Sequence, residues 1–92
     1  MKDVELLEQH RTGNEQAFAE LVRRHIGWVY GVARRRVRDE HLAEDVAQAV
    51  FVLLHRKSPR FPADGAMIRW MHRTAGYASQ VALRNQHRRS GA

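Results

Sequence analysis

The sequence predicts an all-α protein, a compact bundle of about four helices, and two observations carry that expectation. Apolar residues recur at spacings of three and four along nearly the whole chain, and no segment keeps the strict alternation of a half-buried strand. Helix breakers are gathered instead of scattered. Ser58-Pro59-Arg60-Phe61-Pro62-Ala63-Asp64-Gly65 holds both prolines and a glycine, and it is the one clear loop. No internal repeat interrupts the pattern. At 92 residues the chain is a single domain, and a chain of that length buries only about 60–65% of the surface it exposes when unfolded.

The elements follow in order. Val4, Leu6 and Leu7 make a short first helix that stops near Gly13. Two start signals come next: Asn14 as an N-cap, or Thr12 with Glu15 as a capping box. Phe18, Leu21, Val22, Val29, Val32, Ala33 and Val37 then step along one face of a long second helix. Gly27 and Gly31 lie four apart within it, at about 1 kcal/mol each relative to Ala, and the spacing predicts a smooth patch where another helix approaches. Asp39 caps a third helix through Leu42, Val46, Ala49, Val50, Leu53 and Leu54. Its acids (Asp39, Glu40, Glu44, Asp45) fall in the first turns and His55-Arg56-Lys57 in the last, as the helix dipole favours. After the loop, Met67, Ile68, Met71, Ala75, Ala78 and Ala82 form one face of a last helix. The tail from Arg88 to Ala92 is expected to fray.

Charge is distributed unevenly. The formal net charge is +6, but residues 1–46 sum to −1 and residues 47–92 to +7, with Asp64 the only acid in the second half. A basic half of this kind suits a polyanion, either nucleic acid or an anionic membrane surface. Fourteen of the 16 cations are arginine, whose planar fork makes paired contacts to phosphates and bases that lysine does not. No apolar run approaches the ~20 residues of a membrane span, and Met1-Lys2-Asp3-Val4-Glu5 lacks the apolar core of a secretory signal. There is no cysteine, so disulfides, thiol chemistry and cysteine-bound zinc are excluded.

Enzyme chemistry finds no constellation to rest on. There is no glycine-rich phosphate loop ending in Lys-Ser/Thr. The six histidines (His10, His25, His41, His55, His72, His87) show no i,i+4 pairing, so they are read as surface groups, with no metal or cofactor assigned. The second half is richer. Arg56, Lys57, Arg60, Arg69, Arg73, Arg84, Arg88 and Arg89 are interleaved with Phe61, Trp70 and Tyr77, and cations beside flat rings are what single-stranded nucleic acid requires. Arg69, Arg73, Tyr77 and Arg84 fall close to one stripe of the last helix. Trp70 and Phe61 equally suit a core-anchoring role. On the third helix Asp45, Gln48, Ala49 and Val52 are expected partly exposed, a mixture that fits a protein partner or a merely solvated face.

The order of motifs resembles a known family. Asn14-Glu15-Gln16-Ala17-Phe18-Ala19-Glu20-Leu21-Val22-Arg23-Arg24-His25 is similar to the opening helix of the extracytoplasmic-function (ECF) group of bacterial RNA polymerase sigma factors. Ala43-Glu44-Asp45-Val46-Ala47-Gln48-Ala49-Val50-Phe51 resembles their acidic-start helix. Pro59-Arg60-Phe61 and Trp70-Met71-His72-Arg73-Thr74-Ala75 resemble the loop and Trp-Leu-x-Arg-x-Ala helix that follow. The likeness covers residues 14–89, the core of a region 2 domain over 1–92. The sequence departs from the family pattern at Ala49, His55, Met67, Tyr77 and Val81.

The resemblance implies a division of labour. Asp45, Gln48 and Phe51 match the positions that would dock on the clamp of the polymerase largest subunit, with Phe51 in part structural, and the partly exposed Ala49 and Val52 beside them are assigned to the same contact. The loop over residues 58–66, with Arg60 and Phe61, and the helix bearing Trp70, Arg73, Tyr77 and Arg84 would open the promoter's minus-ten element and capture a flipped base of its non-template strand. The interleaved cations Arg56, Lys57, Arg69 and Arg88 are assigned to the same strand. It also implies cytoplasmic location, an anti-sigma factor as a further partner, no membrane contact, and no catalytic activity. A second, helix-turn-helix domain (region 4) is expected of the family and is absent from residues 1–92, so weak promoter binding is expected of this stretch alone. Two rival readings are a polymerase-independent helical nucleic-acid-binding module and a protein–protein interaction bundle whose cations only solubilise it.

Overall fold

A computed structural model describes residues 1–91, with side chains through Arg89. Its helices are α1 (Asp3–Arg11), α2 (Glu15–Val37), α3 (Glu40–Lys57) and α4 (Asp64–Gly91), and the described residues contain no strand. The starts are chemically determined. Asn14 Oδ1 accepts from the Ala17 amide at 3.2 Å, and Asp39 Oδ1 from that of Leu42 at 2.9 Å. Each supplies an acceptor to one of the orphan amides of a first turn. Thr12 belongs to the preceding helix instead: its hydroxyl donates to the Gln9 carbonyl at 2.8 Å. Of the two start signals before α2, Asn14 is therefore the one used. Gly13 has φ +102°, a turn conformation that a side chain would strain. Arg38 and Ser58 close α2 and α3 in the left-handed region, each amide bonding back to a carbonyl four residues earlier, Arg34 and Leu54.

The four helices meet around Leu7, Leu21, Leu54, Met67 and Met71, all essentially solvent-free and drawn from every helix. Full burial of such side chains contributes about 1.5–3 kcal/mol each. Val29, Val50 and Ala75 extend this core. A second cluster of Ala33, Val37, Ala43 and Val46 lies where the end of α2 meets the start of α3, and its small side chains let the two helices come close. The apolar faces are largely those expected, with Ala43, Ala47 and Phe51 added to the buried set of α3.

Two expectations are corrected. No helix approaches Gly27 or Gly31, since a Cβ at either would meet no atom within 4 Å. The neighbours of α2 pack on the face of Leu21, Val29, Ala33 and Val37, leaving the glycines on its open side. The tail is still helical at Arg88: α4 continues through Gly91, with no breaker before that point and cations in its last turn that complement the dipole. Ala92, the rest of that expectation, lies outside the described residues. With 28 residues α4 is about 42 Å long, close to the 45 Å long axis of the molecule.

Short α1 acts as a brace. The Arg11 guanidinium donates to the carbonyls of Ser58 and Pro59, tying down the start of the loop. Asp64 Oδ1 accepts from the Val4 amide at 3.0 Å, tying its end. Asp3 is buried and receives Arg24 Nη1 at 3.1 Å and His25 Nε2 at 2.9 Å. Trp28 Nε1 lies 2.9 Å from His25 Nδ1. Indole nitrogen only donates, so Nδ1 is the acceptor and the ring proton sits on Nε2, directed at Asp3. His25 is thus a buried connector, not the surface group expected. His10 is half-buried, its ring 4.7 Å from Phe18 and 4.6 Å from His55. Among the described residues no three acidic or histidine side chains gather as a metal site.

Candidate nucleic-acid interface

The helical period of α4 places Arg69, Arg73 and Tyr77 on one face, opposite the buried Met67, Met71 and Ala75. Together with His72, Gly76, Gln80 and, from α2, Arg36, they line an open cleft of about 580 Å³. A second concavity of about 450 Å³ lies beside it, between Leu53, Lys57, Trp70, Arg73, Thr74 and Tyr77. Arg73 and Tyr77 form the wall between the two, and Tyr77 is 66% exposed. Among the described residues, the ion pairs involve only side chains up to His25. The cations of this face therefore meet no acid, and their field is directed outward.

The sequence-derived residues divide on the structure. Lys57, Arg69, Trp70, Arg73 and Tyr77 come together around the two concavities. Phe61 and Arg60 line neither concavity but a small cavity of their own against Val4, Leu7, Glu8 and Arg11. Phe61 meets Trp70 edge to face at 6.0 Å, and both rings are half-buried against the core. They are anchors with one accessible side, so the two roles open in the sequence are not exclusive. Arg84 is exposed on α4 beyond both concavities, and Arg88 further still. Arg56 does not join this face. It lines a groove of about 360 Å³ between α2 and α3, with Phe18, Val22, Ile26, Gln48, Phe51, Val52 and His55.

Arg36, His72 and Gln80 escaped sequence reasoning. Arg36 belongs to the half of the chain that is near neutral in sum, and only the crossing of α2 over α4 brings it into the cleft. His72 stacks on Trp28 at 6.3 Å with ring planes 16° apart, which links the cleft to the His25–Asp3 network.

The exposed side of α3 is a ridge. Gln48, Val52 and Arg56 look into the α2–α3 groove. Asp45 and Ala49 look the other way, into a trench of about 320 Å³ floored by Leu53, Ala78, Val81 and Ala82, with Tyr77 of the α4 face also in its lining. Phe51 is 6% exposed and belongs to the core, with only an edge reaching the groove. Val52 at 46% and Ile26 at 36% are among the more exposed large apolar side chains. A ridge flanked by two mostly apolar grooves suits a protein partner better than a phosphate backbone.

Fold and surface together define an all-α domain with one cationic, aromatic-edged face and one apolar, grooved ridge. Residues 21–89 match Sigma-70 region 2, and the chain belongs to that family, within the ECF group of RNA polymerase sigma factors that its motifs resemble. It is similar to the RNA polymerase sigma factor CarQ of Myxococcus xanthus, with 38% identity over 80 residues, covering 87% of this chain and 46% of the relative. It is also similar to the ECF RNA polymerase sigma factor SigM of Mycobacterium tuberculosis, with 37% identity over 82 residues, covering 89% and 42%. A third relative is the RNA polymerase sigma-H factor of Pseudomonas aeruginosa, with 34% identity over 74 residues, covering 80% and 38%. The chain thus spans less than half the length of these relatives. No solved structure is a significant match.

Proposed function

We propose that this domain recognises promoter DNA for RNA polymerase, docking on the polymerase clamp through the α3 ridge and holding the opened minus-ten strand on the α4 face. The observation that carries this reading is the sorting of surfaces: unpaired cations with Trp70 and Tyr77 on one side, and Gln48 and Val52 in an apolar groove on another. Lys57, Arg69, Trp70, Arg73 and Tyr77 contact the strand, and Arg60 and Phe61 carry the loop to a flipped base. Arg84 and Arg88 extend the contact along α4, whereas Arg56 goes with Asp45, Gln48, Ala49 and Val52 to the polymerase side. The domain acts by binding, in the cytoplasm, with no chemistry of its own. Unstacking a base costs a few kcal/mol, and stacking on an aromatic ring returns about 1–3 kcal/mol, so strand capture offsets melting.

The chain is expected to bind a single-stranded minus-ten-type oligonucleotide more tightly than its duplex, with affinity falling steeply as salt rises. Fluorescence anisotropy across a salt series measures both. Equal affinity for any duplex favours a sequence-tolerant module, and no binding at low salt leaves only a protein-binding bundle. On the polymerase side, Gln48→Ala and Asp45→Arg are expected to weaken capture of polymerase core several-fold while circular dichroism is unchanged, since both side chains are exposed. Unaltered capture by both variants removes α3 from the interface.

A further inference from the structure

We infer that Arg36 of α2 is a DNA-backbone residue, and that its cleft with Arg69, Arg73 and Gln80 seats a phosphodiester of the strand whose bases lie against Tyr77. The inference rests on the promoter-binding reading and adds to it a site built across two helices. Gly76 is the device that places Arg36. A Cβ at Gly76 would lie 3.4 Å from both Cζ and Nη2 of Arg36, so the guanidinium rests in the notch left by the missing side chain. Packing against Gly76 thereby positions the planar group while Arg36 still lines the cleft, and a guanidinium so placed is suited to forked phosphate contacts. No acid lines the cleft, and none pairs with Arg36, Arg69 or Arg73 among the described residues. Three neighbouring guanidinium groups without a counter-charge repel one another, and an anion between them relieves that repulsion. Tyr77 identifies which anion. It walls both this cleft and the concavity of Lys57 and Trp70, so a base stacked on its exposed ring directs the adjoining backbone into the cleft.

The test is anisotropy of a single-stranded minus-ten-type oligonucleotide and its duplex with wild type, Arg36→Gln, Arg36→Lys, Arg35→Gln and Arg73→Ala. Arg35 is exposed on the same helix and does not line the cleft, so its variant controls for net charge. Arg36→Gln is expected to weaken single-strand binding about three- to tenfold and to lower the salt slope by about 0.7, the value for one lost phosphate contact on a single strand. Arg36→Lys falls between, and Arg35→Gln stays near wild type. Equal losses for Arg35→Gln and Arg36→Gln, or an equal loss on duplex, overturn the inference. So does an Arg36→Gln variant with wild-type affinity and slope while Arg73→Ala is weakened, which leaves the promoter-binding reading standing. Absence of binding by wild type overturns that reading itself.

Discussion

The double variant Arg73→Ala/Tyr77→Ala is expected to bind single-stranded minus-ten-type DNA about a hundredfold more weakly than wild type, with unchanged helicity. These two side chains form the wall shared by the two concavities of the α4 face. Removing the ring forfeits about 1–3 kcal/mol of stacking, and removing the guanidinium forfeits one charge-assisted phosphate bond of about 1.5–3 kcal/mol. A loss of 1.4 kcal/mol is tenfold, so the pair together approaches two orders of magnitude even where the terms add incompletely. Both residues are exposed, so the fold tolerates their loss. The singles separate the terms: Arg73→Ala flattens the salt dependence, and Tyr77→Ala lowers affinity at every salt concentration. A double variant within threefold of wild type would remove this face from DNA binding.

Asp3→Ala carries the largest expected effect on stability. The carboxylate is buried and accepts from His25 at 2.9 Å and Arg24 at 3.1 Å. Its removal strands the Nε2–H of His25, whose other nitrogen is already committed to Trp28. A buried donor left without a partner costs about 1–3 kcal/mol, and the same substitution removes the ion pair to the partly exposed Arg24. About 3 kcal/mol is therefore expected, which in a domain of this size lowers Tm by roughly 10–20 °C. Asp3→Asn retains an acceptor and should lose about half as much. Thermal unfolding followed by circular dichroism measures both, and a Tm for Asp3→Ala within about 3 °C of wild type would show that the network is dispensable. Because α1 also holds both ends of the 58–64 segment through Arg11 and Asp64, the same variant should loosen the loop that carries Arg60 and Phe61.

Much of this architecture is legible residue by residue. Helical periodicity shows in the sequence because it is local: Leu21, Val29, Ala33 and Val37 share a face whatever packs on it. Asn14 and Asp39 are readable as caps for the same reason, their partners being three residues away. The failures are non-local. Gly27 and Gly31 have the spacing of a helix contact but no helix beside them, while Gly76, without that spacing, receives a side chain from a segment forty residues earlier. His25 reads as one of six surface histidines until α1 folds Asp3 against it. Arg56 lies next to Lys57 in sequence, yet successive residues on a helix point about 100° apart, and the two serve different surfaces.

The +6 charge and its concentration after residue 46 were enough to expect a polyanionic partner, and the order of motifs was enough to indicate the sigma family. Composition, helical period, caps and motif order are properties of neighbouring residues, so the sequence by itself determined the fold class, the limits of most elements and the family. Only the tertiary structure decided which cations lie together. It joined Arg36 to Arg69 and Arg73 across two helices, removed Arg56 to the α2–α3 groove, and placed Phe61 and Trp70 half in the core. The physical reason is that electrostatic and stacking sites depend on distances of a few ångströms between side chains, and such distances are set by how helices cross.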